Sequence, residues 1–316
     1  MGEFELINHY FKKAACAKAE GALTLGIGDD CALLNIGVGQ QLAISSDSLV
    51  EDVHFPKNAD PAFLAMRGLA CAVSDLAAMG AEPLAFTLAL TVPSVERKWL
   101  AGFAEGLEHM AAQCGIRLAG GDTTRGPLNV NFTVFGQVPF TRALKRCGAV
   151  VGDWVCVGGS LGDGAGALPF VLGERALSNN SAYLVDRYWQ PEPQLALGRA
   201  LGGLAHAALD ISDGLLQDAG HIAKASGVAI TLEREALPLS KELVAEYGVE
   251  AAQHMALSGG DDYRLLFTLS AQNFQSLTEK GFAITRIGEV TAGEGVSVVD
   301  DKGQSVTLEA SGFTHF

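Results

Sequence analysis

The chain has 316 residues, 48% of them hydrophobic, and a formal net charge of −14. That length leaves room for two domains with separate cores. The acidic balance, with no Lys/Arg-rich tract against it, excludes a nucleic-acid-binding surface. No run of about 18 uncharged apolar residues stands out as a membrane span. The N-terminal residues lack the basic and apolar segments of a signal peptide. The six cysteines show no CxxC and no Cys/His metal spacing, and they read as reduced, packed thiols of a cytoplasmic protein.

Residues 3–16 read as a short amphipathic helix with Phe4, Ile7, Tyr10 and Phe11 on one side. The apolar run Ala22–Leu25 leads into Gly26-Ile27-Gly28-Asp29-Asp30. Strands are expected at 42–46, ending in Ser45-Ser46-Asp47, and at 84–92. Between them Asp60 caps a helix over 61–79, with Pro61 in its first turn and Gly80 at its end. This helix is apolar nearly all round and should be buried. Arg67 and Ser74 share one stripe of it, and Asp75 beside them needs a cation or a metal as partner. Ser94 is expected to cap a second helix running to Cys114 and closed by Gly115. Strands 116–119 and 128–138 should then flank a loop, Gly120–Arg125.

The texture changes over 139–152, where Pro139 is followed by Arg142, Lys145, Arg146, Gly148 and Gly152. A boundary here gives an N-terminal domain 1–140 and a C-terminal domain 141–316. The second half opens with a strand at 153–158 and the glycine-rich stretch Gly158–Gly166, which should lead into a helix. Pro191 and Pro193 precede a helix at 194–204, and helices near 213–226, 240–247 and 271–280 alternate with short strands. Each domain should be α/β or α+β. No repeat of 20–50 residues is visible.

Five acidic stretches stand at the ends of apolar runs: Asp29-Asp30, Ser45–Asp47, Gly120-Gly121-Asp122, Asp210-Ile211-Ser212-Asp213-Gly214 and Gly259-Gly260-Asp261-Asp262. Together they suggest one site assembled from many loops. Hard oxygen donors of this kind suit Mg²⁺ carrying phosphates better than zinc or iron. An acidic protein repels nucleotides unless cations stand between carboxylate and phosphate, so charge and motif agree. A P-loop and the protein-kinase signatures are absent. Gly158–Gly166 reads either as a plain turn or as a phosphate cradle at a helix N-terminus. His54 is either structural or a ligand contact, Arg146 a surface charge or a phosphate contact, and Phe313 docked core or a stacking platform.

With these motifs in hand the chain resembles the thiamine-monophosphate kinase family, of the superfamily that includes aminoimidazole ribonucleotide synthetase. The resemblance is carried by Gly26–Asp30, Ser45–Asp47, Val53–Phe55, Ser74–Gly80, Gly120–Thr124, Arg142–Gly148, Asp210–Gly214, Ser258–Tyr263 and the ending Gly312-Phe-Thr-His-Phe316. It runs from residue 26 to the last. Ser46 replaces the usual Thr, and Asp261 stands where Glu is common. The resemblance implies an N-terminal α/β domain whose sheet pairs across a homodimer, an α/β C-terminal domain, and ATP-dependent phosphorylation of thiamine monophosphate to thiamine diphosphate. By position it implies several Mg²⁺ ions on Asp30, Ser45, Ser46, Asp47, Asp75, Asp122, Asp210 and Asp213. ATP would meet Gly121, Asp122, Arg146 and Ser212, and thiamine monophosphate would meet His54, Asp261 and Phe313. The alternatives are another ATP-using synthetase of the superfamily, against which the C-terminal motif speaks, and a non-catalytic Mg²⁺- or Ca²⁺-binding protein.

Overall fold

Residues 129–139 alternate strictly between buried and half-exposed positions, the period of a strand with one covered face. In the computed structural model, which describes residues 3–28 and 31–306 (for Glu3 and Phe4 the backbone only), that strand lies inside a four-stranded sheet. The described residues fall into two compact units. One reaches Leu76 and resumes over Ala81–Thr141; the other takes Ala77–Gly80 and the chain from Arg142 onward.

The first unit begins with α1 (Glu3–Leu6) and a small antiparallel pair, β1 (Leu23–Leu25) and β2 (Leu33–Leu34). Its main sheet comprises β3 (Gln40–Val50), β4 (Glu82–Val92), β5 (Arg117–Arg125) and β6 (Asn129–Pro139), in the order β3-β6-β4-β5. The β4–β5 pair is parallel and the other two are antiparallel. Between the strands run α2 (Pro61–Ala78) and α3 (Arg97–Cys114). Buried Leu49, Phe132, Leu88 and Leu90 mark the covered face. Gly68 of α2 lies so near it that a Cβ would sit 2.6 Å from the Phe132 ring. By length and composition α2 is apolar enough to cross a membrane, but 78% of it is buried inside the protein. It is a core helix.

The second unit is built on a six-stranded sheet: β7 (Trp154–Gly158), β8 (Ala207–Asp210), β9 (Ala229–Glu233), β10 (Leu265–Leu269), β11 (Ile284–Thr291) and β12 (Gly295–Val299). Their order is β12-β9-β11-β7-β10-β8, antiparallel except for β12 with β9. Its helices are α4 (Asp163–Val171), α5 (Asn179–Trp189), α6 (Leu195–Leu201), α7 (Leu215–Ser226), α8 (Lys241–Tyr247), α9 (Val249–Ser258) and α10 (Ala271–Glu279). Every residue of β10 is buried. Its side chains alternate between two cores, Leu266 joining Val155, Leu209 and Ile230, while Leu265, Phe267 and Leu269 join Cys156 and Leu201.

Several expected elements differ. Residues 3–16 do not form one helix: α1 passes into a π-helical turn, Ile7–Phe11, and then a separate 3₁₀ turn, Ala15–Ala17. Leu6, Phe11, Ala14 and Cys16 are the buried positions there, whereas Ile7 and Tyr10 are only partly covered. Ser94 does not cap α3. Its hydroxyl donates to the Glu96 carboxylate at 3.2 Å, and Glu96 is the residue before the helix. Ser45–Asp47 does not end a strand but lies in the middle of β3, and Gly120–Arg125 is strand β5 rather than a loop. In both cases pairing with distant segments overrides glycine- and serine-rich local composition. Helices α5 and α9 were not expected. Ser178 begins the former with a reciprocal capping box to Ser181.

Candidate metal and nucleotide site

Within the first unit, strand periodicity sorts the candidate ligands. Ser45 and Asp47, two residues apart, point to the same face of β3 as buried Leu49. There the Ser45 hydroxyl donates to the Asp75 carboxylate of α2. Burial, and then the charge of Asp75, push the Asp47 carboxyl up to about 6. Two carboxylates and a hydroxyl thus share a half-buried corner. Ser46 faces the other way: its hydroxyl lies 3.0 Å from that of Thr133 and receives a bond from Asn131 at 3.3 Å. His54 closes the turn after β3, where its Nδ1 accepts the Val50 N–H at 3.0 Å. Asp30 lies outside the described residues.

Gly121 and Asp122 sit on β5, at the other edge of the sheet. The register runs Asp47–Phe132–Leu88–Gly121 across the four strands and Ser48–Asn131–Ala89–Asp122 in the next row. Asp122 therefore projects to the face opposite Asp47, three strand spacings away, roughly 14 Å. Gly121 is required by close approach, since a Cβ there would fall 1.8 Å from the Leu88 carbonyl oxygen. Beside this edge opens a cavity of about 700 Å³, walled by Gly26, Gly28, Gly120 and Gly121 and reached by Asp122, Phe11 and Lys12. That volume accommodates a nucleotide.

In the second unit β8 delivers Asp210 to the strand end, and the next residues carry Ser212 and Asp213. Oxygen and nitrogen ligand atoms of Asp213, Asp218 and His221 lie within 4.8 Å of one another. Asp218, on the first turn of α7, accepts the N–H groups of Asp213 and Gly214, both at 3.2 Å. Burial, and then Asp213, raise its carboxyl to about 6. The Ser258–Tyr263 stretch is bonded to the same loop. Asp261 N–H donates to Ser212 C=O at 2.9 Å, and Tyr263 N–H to Ile211 C=O at 2.8 Å. Asp210, Ser212, Asp213 and Asp261 thus come together. Asp261 and Tyr263 hold φ of 68° and 49°, left-handed conformations uncommon outside glycine and typical of functional loops.

Arg146 is exposed and flanks the start of β8. Its carbonyl accepts the Ser226 hydroxyl at 3.4 Å, and the Lys145 carbonyl accepts Ala208 N–H at 2.8 Å. It is not brought to the Asp210 end. The Gly158–Gly166 stretch is not a phosphate cradle, because a protein carboxylate already fills it. Asp262 accepts Gly162 N–H at 2.7 Å and Gly164 N–H at 3.3 Å, at the N-terminus of α4. Asp163 is likewise engaged, receiving the hydroxyls of Ser160 at 2.7 Å and Ser240 at 2.5 Å. Phe313 lies outside the described residues. The sequence names neither Asp218 nor His221 as members of these networks, and it shows Asp262 only as part of an acidic stretch, without the amide-binding role it has here. Only the Asp218/His221 spacing of three on one helix face offered a signal.

Residues 28–138 match the family model for the AIR synthase related protein N-terminal domain, and residues 150–301 match its C-terminal counterpart. The thiamine-monophosphate kinase of Escherichia coli strain K12 is 44% identical over 322 aligned residues, covering 100% of this chain and 98% of that protein. The chain belongs to the thiamine-monophosphate kinase family. Among solved structures, the thiamine-monophosphate kinase of Stenotrophomonas maltophilia superposes with a TM-score of 0.87 at 40% identity, covering 97% of this chain and 98% of that one. A structure described as AaThiL complexed with AMPPCP and TMP superposes at 0.80 with 32% identity, covering 100% and 97%.

Proposed function

We propose that this protein transfers the terminal phosphoryl group of ATP directly to the phosphate of thiamine monophosphate, giving thiamine diphosphate. The observation that carries the reading is the pairing of a nucleotide-sized glycine-walled cavity with clustered carboxylates in a protein of charge −14. The relative complexed with AMPPCP and TMP supports the choice of donor and acceptor. Donor and acceptor are both anionic, so their mutual repulsion is the main obstacle.

The residues present fit Mg²⁺. Their donors are hard oxygens, and the like charges of Asp47 and Asp75 have a cost that a divalent cation would remove. In the first unit Asp30, Ser45, Asp47, Asp75 and Asp122 would hold ions, and in the second Asp210 and Asp213 would do so. Ser46 is the weakest member of the set, because its hydroxyl bonds Thr133 on the opposite sheet face. When bound, Mg²⁺ supplies charge neutralisation along the phosphates. In the first unit Gly121 gives the nucleotide close access to backbone beside Asp122; the family resemblance also assigns ATP contacts to Ser212 and Arg146 of the second unit, of which Arg146 is the weaker because it lies away from the Asp210 end. The same resemblance assigns thiamine monophosphate contacts to His54 in the first unit, to Asp261 in the second and to Phe313. The acceptor phosphate is already an ionised nucleophile, so these residues position it rather than deprotonate it.

A homodimer is part of the proposal. β3 is an edge strand of eleven residues, with Leu42 40% and Ile44 58% exposed on its outer face, and a paired copy would cover that edge. The six free cysteines agree with a cytoplasmic setting. The test is to incubate the protein with ATP, Mg²⁺ and thiamine monophosphate and separate the products by chromatography. Thiamine diphosphate should form, and excess chelator should abolish it. ADP release without the diphosphate would point to another ATP-using reaction, and full turnover in chelator would remove the metals from the account.

A further inference from the structure

We propose that Lys12 binds the polyphosphate of the nucleotide in the first unit's cavity, an inference that rests on the kinase reading above. The sequence around it, Tyr10-Phe11-Lys12-Lys13, carries no nucleotide motif. The fold gives it meaning. The π-helical turn Ile7–Phe11 is closed by Lys12 N–H donating to Ile7 C=O at 2.9 Å. Such turns are rare and concentrate at functional sites. This one lines the cavity with Ile7, Asn8, Phe11 and Lys12 together.

Across the opening the chain turns through Gly28 at φ +130°, a conformation suited to glycine. The Lys12 ammonium lies directly over that turn, where a Cβ on Gly28 would be 2.6 Å from Nζ. Among the described residues the lining has two glycine walls, an apolar floor including Phe11 and Leu118, the polar side chains of Asn8, Thr87 and Thr123, one carboxylate (Asp122) and one cation (Lys12). A triphosphate entering a protein of charge −14 meets repulsion nearly everywhere. Among the described lining residues Lys12 is the counter-charge, and an ammonium donates to phosphate oxygen as a compact point charge with three N–H groups. The ligand class is a nucleoside di- or triphosphate, recognised through its phosphates rather than its base.

The experiment compares wild type with Lys12→Ala and Lys12→Arg. Steady-state kinetics are run against each substrate, and the affinity for ATP is measured by calorimetry without the acceptor. Loss of one charge-assisted contact should raise KM for ATP and weaken ATP binding about tenfold. KM for thiamine monophosphate and Tm should stay unchanged, and Lys12→Arg should recover most of the affinity. If wild type is active but Lys12→Ala keeps its ATP affinity, Lys12 is not a phosphate contact. A fall in Tm with unchanged ATP affinity would assign it a packing role instead. If wild type binds no ATP, the inference falls together with the kinase reading. If it binds ATP without phosphorylating thiamine monophosphate, only the choice of acceptor fails, and Lys12 is still judged by the binding data.

Discussion

In the metal-free protein, replacing Asp47 by Asn should raise stability. Asp47 and Asp75 share one corner of the first unit, and burial, followed by the Asp75 charge, raises the Asp47 carboxyl from an ordinary 3.8 to about 6. Between those values the folded state holds a proton that the unfolded chain has lost. Stability therefore falls as pH rises from about 4 to 6, and the full cost is present above that window. A shift of roughly 2 units at 1.36 kcal/mol each sets an upper bound of about 3 kcal/mol. Asp47 is only half-buried, so about 1–2 kcal/mol should survive solvent screening. Asn keeps the shape and removes the charge. The variant's Tm in chelator at pH 8 should exceed that of wild type by about 3–6 °C, and the two should converge at pH 4. Added Mg²⁺ should stabilise wild type more than the variant. An equal or lower Tm for the variant in chelator at pH 8 would refute the like-charge argument.

Gly121→Ala should lower Tm by several degrees and abolish ATP binding, because its Cβ would fall 1.8 Å from the Leu88 carbonyl oxygen and force β5 off β4; calorimetry and thermal melts check both. Asp262→Ala should be destabilising at pH 6, where burial holds the carboxyl, with a pKa of about 7, largely neutral. Little charge is relieved there, and the Gly162 and Gly164 amides lose their acceptor at roughly 1–3 kcal/mol each, read as a drop in the denaturant midpoint. Transfer from ATP chiral at the γ-phosphorus should invert configuration, since the acceptor phosphate is already an ionised nucleophile and a covalent relay would add a step without removing the charge repulsion; retention, or label left on the protein by ATP alone, would overturn direct transfer.

Helix α2 was legible from the sequence to within one residue, because an unbroken apolar stretch between Asp60 and Gly80 has few other ways to fold. The acidic stretches were legible as places but not as geometry. Ser45, Ser46 and Asp47 read as one cluster, yet a strand's period of two sends Ser46 to the other face. Gly120–Arg125 read as a loop because glycine and aspartate favour turns. Its strand state depends on a parallel partner some thirty residues earlier, and such pairing leaves little local trace. The Gly158–Gly166 stretch misled for a related reason. The carboxylate that occupies it comes from Asp262, about a hundred positions away. The π turn at Ile7–Phe11 has no sequence signature at all.

Two of the acidic pairs share a division of labour that links structure to pH. In each, a buried carboxylate accepts two backbone N–H groups and braces the loop that carries a more exposed one. Asp218 holds the amides of Asp213 and Gly214, and Asp262 holds Gly162 and Gly164 beside the strained Asp261. Bracing costs desolvation, which is why both buried groups titrate high, at about 6 and about 7. Asp47 is raised likewise by burial, and then by the charge of its neighbour Asp75. A divalent cation bound near Asp47 or Asp213 favours the ionised forms of Asp47 and Asp218, so its binding must expel their protons. At pH 6 each of these two groups is about half protonated, and roughly one proton in total should be released on metal binding; at pH 8 both are already ionised and release should vanish. Calorimetric titration of Mg²⁺ in buffers of different ionisation enthalpy measures this directly. Heats that depend on the buffer at pH 6 but not at pH 8 are the expected outcome. Buffer-independent heats at pH 6 would mean that neither carboxylate is coupled to the metal.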